Sequence, residues 1–306
     1  MATPLVSVCM TTYNHAAYIA EAIEGVLAQR TTFPFELIIG EDCSTDATLT
    51  ICRDYTERYP DTIRLITSAE NVGWRANYRR TIAAAQGRYV ALCDGDDVWF
   101  DTEKLQHQVD LMEADAACAM CYTRSLRAAS LEGECQSYPP HEGHEDFASM
   151  LRLNTAENST TLAHRDLVEQ YYAEVRPDQH PEWLTDDLPM WLWFAANFPI
   201  RFIDRTTTLH RIVEGSVSHD GNYHKRIAFC DSLYGIMAWF DEQYGDRSSK
   251  HDIERRAHRE ALWAYATQGR LTEFVARWWR DVWHHPHLLL CGDALKIFIK
   301  KRLLKR

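Results

Sequence analysis

Three carboxylates fall within four residues at Asp94-Gly95-Asp96-Asp97, directly after the apolar run 89–93. Like charges this close repel, and each disfavours ionisation of the next. A divalent cation removes that penalty. Hard oxygen ligands with open positions select Mg2+ or Mn2+, which then take phosphate oxygens as further ligands. A solvated acidic turn is the competing reading; the position at the end of a strand favours the metal. Glu41-Asp42 follows another apolar run. A carboxylate there can accept hydrogen bonds from a base or a ribose, or open a loop that leads into the next helix. Thr11-Thr12-Tyr13-Asn14 closes the first apolar run. Tyr13 can lay its ring on a nucleobase while its hydroxyl meets a polar partner, or it is a plain rim tyrosine.

The elements that must carry these residues follow from hydrophobic period. Residues 5–10 read as a strand, and Tyr18, Ile19, Ala22, Ile23, Val26 and Leu27 recur at helical spacing. Residues 35–40 form a second strand. Ser44-Thr45-Asp46 offers side-chain oxygens to cap a helix reaching about residue 59, before Pro60. Residues 63–67 are a third strand, Asn71-Val72-Gly73 is a turn, and a helix over about 75–86 ends at Gly87, read as a left-handed stop. Residues 89–93 are the fourth strand. This β-α-β-α-β-α-β order is that of a parallel sheet covered by helices. Ligands bind beyond the carboxyl ends of such strands, where the polar clusters fall, so three separate parts of the chain should converge on one edge. No GxGxxG or GxxxxGK[ST] follows the first strand, which disfavours dinucleotide cofactors and P-loop nucleotides.

The second half is mixed. A helix over 104–114 leads to strands near 119–122 and 158–163. Residues 130–145 are loop-like. A Trp-rich helix over 186–197 carries Asp186 and Asp187 at its start, a strand follows at 200–203, and beyond 223 the pattern is helical and aromatic. We divide the chain into a domain over 1–222, with a nucleotide-binding half 1–115 and an acceptor half 116–222, and a helical region over 223–306.

With 46% hydrophobic residues in 306, the chain can bury a sizeable core. Its formal charge of −11 argues against a nucleic-acid partner, which needs a basic footprint. The nine cysteines form no framework, and Cys118 and Cys121 make a lone CxxC with half a zinc shell. Reduced, structural cysteines imply a cytoplasmic protein. The N-terminus lacks the basic and apolar regions of a signal peptide. No stretch reaches the roughly 18 apolar residues of a membrane span. Residues 296–306 carry six Lys or Arg and no acid, interleaved with apolar residues. As a helix, this segment suits the anionic inner face of a membrane, with Trp278, Trp279 and Trp283 upstream as anchors; a docked helix with a solvated basic end is the alternative. His284-His285-Pro286-His287 reads as a solvated turn, because no carboxylate or cysteine lies at ligand spacing.

Order and spacing over 5–115 resemble family-2 glycosyltransferases. The resemblance rests on Val6-Ser7-Val8-Cys9-Met10-Thr11-Thr12-Tyr13-Asn14, on 35–46 with Cys43 where glycine is commoner, on Asn71-Val72-Gly73 with Asn77, on 83–89, on Asp94-Gly95-Asp96-Asp97-Val98-Trp99, and on 104–109. It implies a GT-A fold: an α/β, Rossmann-like, mostly parallel sheet with helices on both faces, here with a helical C-terminal extension. It implies that Thr11, Tyr13 and Asp42 bind the nucleoside, with Asn14, Asn71 and Asn77 beside them. Asp94 and Asp96 match the DXD acids, Asp94 toward ribose and diphosphate and Asp96 on Mn2+ or Mg2+. Asp97 is a third acid of less defined role. Residues 158–165 are similar to the segment flooring the acceptor side. Asp186-Asp187 resembles the acidic pair that supplies the catalytic base, usually Glu-Asp; spacing selects Asp187, with Asp186 as runner-up. Both also suit a helix N-terminus. Leu209-His210-Arg211 with 214–218 also resembles the family, lying after the last domain strand; His210 or Arg211 can touch the diphosphate there, or the stretch is a plain surface loop. The activity implied is inverting transfer of a sugar from a nucleotide-sugar, foremost a UDP-sugar, to a glycan or lipid-linked acceptor. A nucleotidyltransferase and a non-catalytic nucleotide-sugar-binding protein are the alternatives.

Overall fold

The computed structural model describes residues 3–213, 222–291 and 297. The segment 214–218 and the basic run 296–306, Ile297 apart, therefore lie outside the described residues. Two compact units divide the chain: Met1–Arg176 with Trp193–Ile212, and Pro177–Leu192 with Val213–Arg306.

The first unit alternates strands and helices as the sequence pattern requires: β1 (Val6–Thr12), α1 (Ile19–Leu27), β2 (Phe35–Glu41), α2 (Thr48–Arg58), β3 (Ile63–Ile66), α3 (Trp74–Ala83) and β4 (Tyr89–Asp94). Then come β5 (Val98–Trp99), α4 (Lys104–Ala114), β6 (Met120–Ala128), β7 (Gln136–Tyr138), α5 (Phe147–Arg152), a 3-10 turn (Asn158–Thr160), β8 (Thr161–His164) and α6 (Arg165–Glu174). α7 (Asp187–Asn197) and β9 (Ile200–Arg211) follow. The sheet order is β3-β2-β1-β4-β8-β6-β9-β5, with β7 on β6. β3, β2, β1 and β4 run parallel to one another. Beyond β4 the pairing is mixed: β8 is antiparallel to β4 and β6, and β9 is parallel to β6 but antiparallel to β5.

Strand residues Val6, Val8, Met10, Leu37 and Ile39 are fully buried, together with Ile19, Ala22, Ile23 and Val26 on one face of α1. Burying each large aliphatic side chain contributes about 1.5–3 kcal/mol, so this apolar periodicity fixes α1 against the sheet. Asp46 Oδ1, one residue before the Ala47 N-cap, accepts from the N–H of Thr48, the first residue of α2, at 2.9 Å.

Gly87 differs from its sequence-based role. α3 ends earlier, at Ala84 in ordinary right-handed geometry, and Gly87 is not among the left-handed residues. A Cβ on Gly87 would stand 2.7–2.9 Å from backbone atoms of Leu5, Val6 and Ser7. Glycine is needed there for the close approach of the chain to β1.

Among the described residues, the second unit contains the segment 177–192, assigned from sequence to the acceptor half, together with α8 (Tyr223–Gln243), α9 (Lys250–Thr267) and α10 (Leu271–His284), and a 3-10 turn at Pro286–Cys291. Trp183 stacks on His180 at 4.0 Å and meets Trp239 and Phe240 of α8. Arg277 joins Asp231 at 2.7 Å and Asp281 at 2.6 Å, and His258 Nδ1 lies 2.8 Å from Asp281. The histidine-rich turn is not simply solvated. His285 Nδ1 and His287 Nε2 lie 3.1 and 3.4 Å from the Glu254 carboxylate, which α9 brings from far upstream. Among the described residues no helix is long and apolar enough to cross a membrane.

Candidate active site

Register alone brings the first cluster together. Thr11 pairs with Gly40 of β2 on one side and with Asp94 of β4 on the other. The polar ends of β1, β2 and β4 thus lie side by side at the carboxyl edge. Thr11 Oγ1 donates to Asp94 Oδ1 at 3.3 Å. The Gly95 N–H donates to the Thr11 carbonyl at 2.9 Å. A Cβ on Gly95 would come within 2.7 Å of the Thr12 side chain, so only glycine lets the acidic turn lie this close to β1.

The three acids then part company. Asp94 receives Asn158 Nδ2 on both oxygens at 3.0 Å. Burial, and then the charges of Asp97 and Asp96, raise its carboxyl to about 7. Asp96 is raised for the same two causes, burial and Asp97. It keeps 19% of its side chain exposed, with His15 Nδ1 4.0 Å away. Asp97 is buried and turned the other way. Its Oδ1 accepts from the Arg211 N–H at 2.9 Å and its Oδ2 from the Ser159 hydroxyl at 2.5 Å, with His210 Nδ1 at 3.6 Å. Against the effect of burial, His210 and these donors hold Asp97 below the usual carboxylate range.

Sequence alone did not show what supports this turn. The Ser159 hydroxyl donates to Asp97 while accepting from the Asp94 N–H at 3.0 Å. Tyr78 donates to Asn158 Oδ1, Trp99 Nε1 donates to the Ser159 carbonyl, and Gln108 Nε2 donates to the Thr160 carbonyl. Lys104 is fully buried, 2.7 Å from Gln108 Oε1 and over the Trp99 ring at 3.9 Å. Burial lowers its pKa to about 7. In the sequence Lys104 and Gln108 stand out as a lysine and a glutamine four apart on one helix face, within the 104–109 stretch of the resemblance.

The nucleoside-side residues are tied to neighbouring loops. Asn14 Oδ1 accepts from the Thr45 N–H at 2.8 Å, and its own N–H donates to Ser44. Both oxygens of Asp42 accept backbone donors, from Val72 at 2.9 Å and Gly73 at 3.0 Å. Asn71 donates to the Asp42 carbonyl at 2.9 Å. Asn77 is buried; it donates to the Gly40 carbonyl and accepts from Arg80, so its amide holds β2 against α3. Glu41, also buried, accepts from Ser44, Cys43 and Thr67. Tyr13 stands at the rim with 42% exposed. His210 and Arg211 sit on β9 rather than on a loop. Arg211 is buried and donates to the Asp96 carbonyl, the Ala129 carbonyl and Glu21.

Asp186 and Asp187 belong to the second unit. Asp186 is buried. Asp187 Oδ1 accepts from the Thr185 hydroxyl and, at 2.6 Å, from the Leu188 N–H, which ties it to the first turn of α7.

An α/β sheet with acids at the end of β4 and polar loops at the ends of β1 and β2 is the GT-A arrangement of nucleotide-sugar transferases. Residues 7–150 match the family model for glycosyl transferase family 2. A Mycobacterium tuberculosis protein is 37% identical over 162 residues, 52% of this chain and 46% of its own length. The Bacillus subtilis putative teichuronic acid biosynthesis glycosyltransferase TuaG is 38% identical over 120 residues, 39% of this chain and 46% of its own. The chain thus spans about half the length of the curated relatives it matches. In fold, S. aureus TarS in complex with UDP superposes with a TM-score of 0.54 at 18% identity, covering 92% of this chain and 91% of the other. The mannosyltransferase PcManGT of Pyrobaculum calidifontis, in complex with GDP-Man and Mn2+, gives 0.55 at 18% identity, covering 100% and 89%.

Proposed function

We propose that this chain moves a sugar from a nucleotide-sugar donor, foremost a UDP-sugar, to a hydroxyl acceptor in polysaccharide or lipid-linked glycan assembly, with inversion at the anomeric carbon. The observation that supports it best is the register that sets Thr11 beside Asp94, with Asp96 as the partly open acid of the turn. The donor set fits a divalent cation. Two half-buried carboxylates, raised first by burial and then by neighbouring acids, offer hard oxygens whose mutual repulsion a cation relieves. Asp94 and Asp96 would hold Mn2+ or Mg2+, which when bound offsets charge on the departing diphosphate. Asn158 orients Asp94, and Tyr13 offers its exposed ring to the base. Thr11, Asn14, Asp42 and Asn71 shape the nucleoside side, and Asn77 acts through β2. Asp97 and Arg211 hold the turn itself.

Asp187 takes the acceptor's hydroxyl proton on the carboxylate oxygen not engaged by Thr185 and Leu188. The acceptor oxygen bonds to the anomeric carbon as the bond from that carbon to the diphosphate oxygen breaks. The protein acts at the cytoplasmic face of a membrane, where the basic segment 296–306 and the exposed Trp279 and Trp283 meet lipid. Thermal shifts with a panel of nucleotide sugars, with and without Mn2+, test the reading. A UDP-sugar should stabilise the protein only with the cation, and Asp96→Asn should remove that dependence. Indifference to every nucleoside diphosphate in both conditions would refute it; tight binding without transfer or hydrolysis would mark a sensor instead.

A further inference from the structure

We infer that the C-terminal helical unit carries a second metal site, of the Zn2+ class, formed by His251, Glu254 and His287. Their ligand atoms all lie within 4.8 Å of one another. His251 and Glu254 are three apart on α9 and so share one helix face. His287 comes from the 3-10 turn that follows α10. The His251 and His287 rings are 4.2 Å apart, and His287 Nε2 is 3.4 Å from Glu254 Oε2. Two imidazoles and a carboxylate are the donor types that select zinc and its neighbours over Mg2+ or Ca2+.

The scaffold is built to hold this geometry. The His285 N–H donates to the Asp281 carbonyl at 2.8 Å, and the Leu288 N–H to the His285 carbonyl at 3.0 Å, which locks the turn around Pro286. His285 Nδ1 lies 3.1 Å from Glu254 Oε1, so it orients the ligating carboxylate from the side away from His287. Tetrahedral bonds of about 2.0–2.1 Å place ligand atoms ~3.4 Å apart. The three ligand atoms, all within 4.8 Å of one another, stand somewhat wider than that. Three protein ligands leave the fourth position to water. On the other side of Glu254, away from His287, Glu254 and His285 line a cavity of about 230 Å3 between α8, α9 and α10. A metal here staples α9 to the end of α10. Sequence spacing concealed the set, because its carboxylate comes from another helix.

The test uses the untagged full-length chain carrying Asp96→Asn, stripped with chelator and titrated with Zn2+ by calorimetry. One ion per chain is expected, with the melting temperature rising by about 5–10 °C at zinc a hundredfold above Kd. His251→Ala and His287→Ala should each weaken uptake more than ~100-fold, and His285→Gln about tenfold. Should either alanine variant fail to fold, Co2+ added to the unsubstituted site should give the intense visible absorption of a tetrahedral N/O complex. No stoichiometric zinc uptake, uptake indifferent to His251 and His287, or a weak octahedral cobalt spectrum would overturn the site and leave a histidine–glutamate ion-pair cluster. Donor binding at the acidic turn is read separately with Mn2+, so failure here leaves the transferase reading intact.

Discussion

Removing His210 should destabilise the protein through Asp97. Asp97 is buried beside two other acids, and His210 Nδ1 is 3.6 Å from its Oδ2. Unit charges at that separation attract by about 4–5 kcal/mol at an effective dielectric of ~20. Some 32% of the His210 side chain is exposed, and solvent screening roughly halves the attraction, to about 2 kcal/mol. His210→Ala, Asp97→Asn and the double variant form a cycle that isolates this quantity. Urea unfolding of metal-free protein at pH 7 should give a coupling of about 2 kcal/mol, and His210→Ala should melt about 4–8 °C lower. The pH dependence has a defined sense. Burial pulls the His210 pKa down, but the Asp97 charge carries it up to about 10. A folded-state value above the unfolded one means the contribution is complete below pH ~6.5 and fades as pH rises through about 10. A coupling below about 0.5 kcal/mol at pH 7, or one unchanged at high pH, would refute the reasoning.

Three further outcomes are expected. Asp187→Asn should abolish transfer while leaving the nucleotide-induced thermal shift in place; full turnover in that variant would remove Asp187 as the base. Cys43 sits at φ +58, a left-handed conformation that costs a side chain about 1–2 kcal/mol. Cys43→Gly relieves this but adds about 0.5–1 kcal/mol of unfolded-state entropy, so denaturant melts should show stability unchanged or up to about 1 kcal/mol higher, and a clear loss would contradict the strain. Gly87→Ala forces a methyl to within 2.7–2.9 Å of the backbone of residues 5–7 and should lower stability by about 1–3 kcal/mol, a loss that equilibrium unfolding would detect.

The four parallel strands were legible because buried strands are short unbroken apolar runs closed by turn residues, and their ends carry the site. The different fates of the three acids were not legible. Asp97 is turned by Ser159 and by β9, whose residues are remote in sequence. β9 itself was expected to end near 203. Its continuation is polar, yet Thr207 and Thr208 are buried and the Thr207 hydroxyl bonds that of Thr123. A period-based reading gives up where threonines fill an interior. Asn77 was read by its place in a motif, and the structure engages its amide with Gly40 and Arg80. Local helix chemistry suggests a stop at Gly87, whereas the reason for this glycine lies across the sheet, against residues 5–7.

The turn at 158–160 has a consequence for anyone transplanting the acidic tetrapeptide into another scaffold. Asn158 fixes one carboxylate and Ser159 another, and the turn is itself propped by Trp99 and Gln108. A graft of the four residues alone would arrive without its bracket, and its acids would splay into solvent. A portable cartridge must carry the tetrapeptide, that turn with both its props, and the His210-Arg211 end of β9 that holds Asp97.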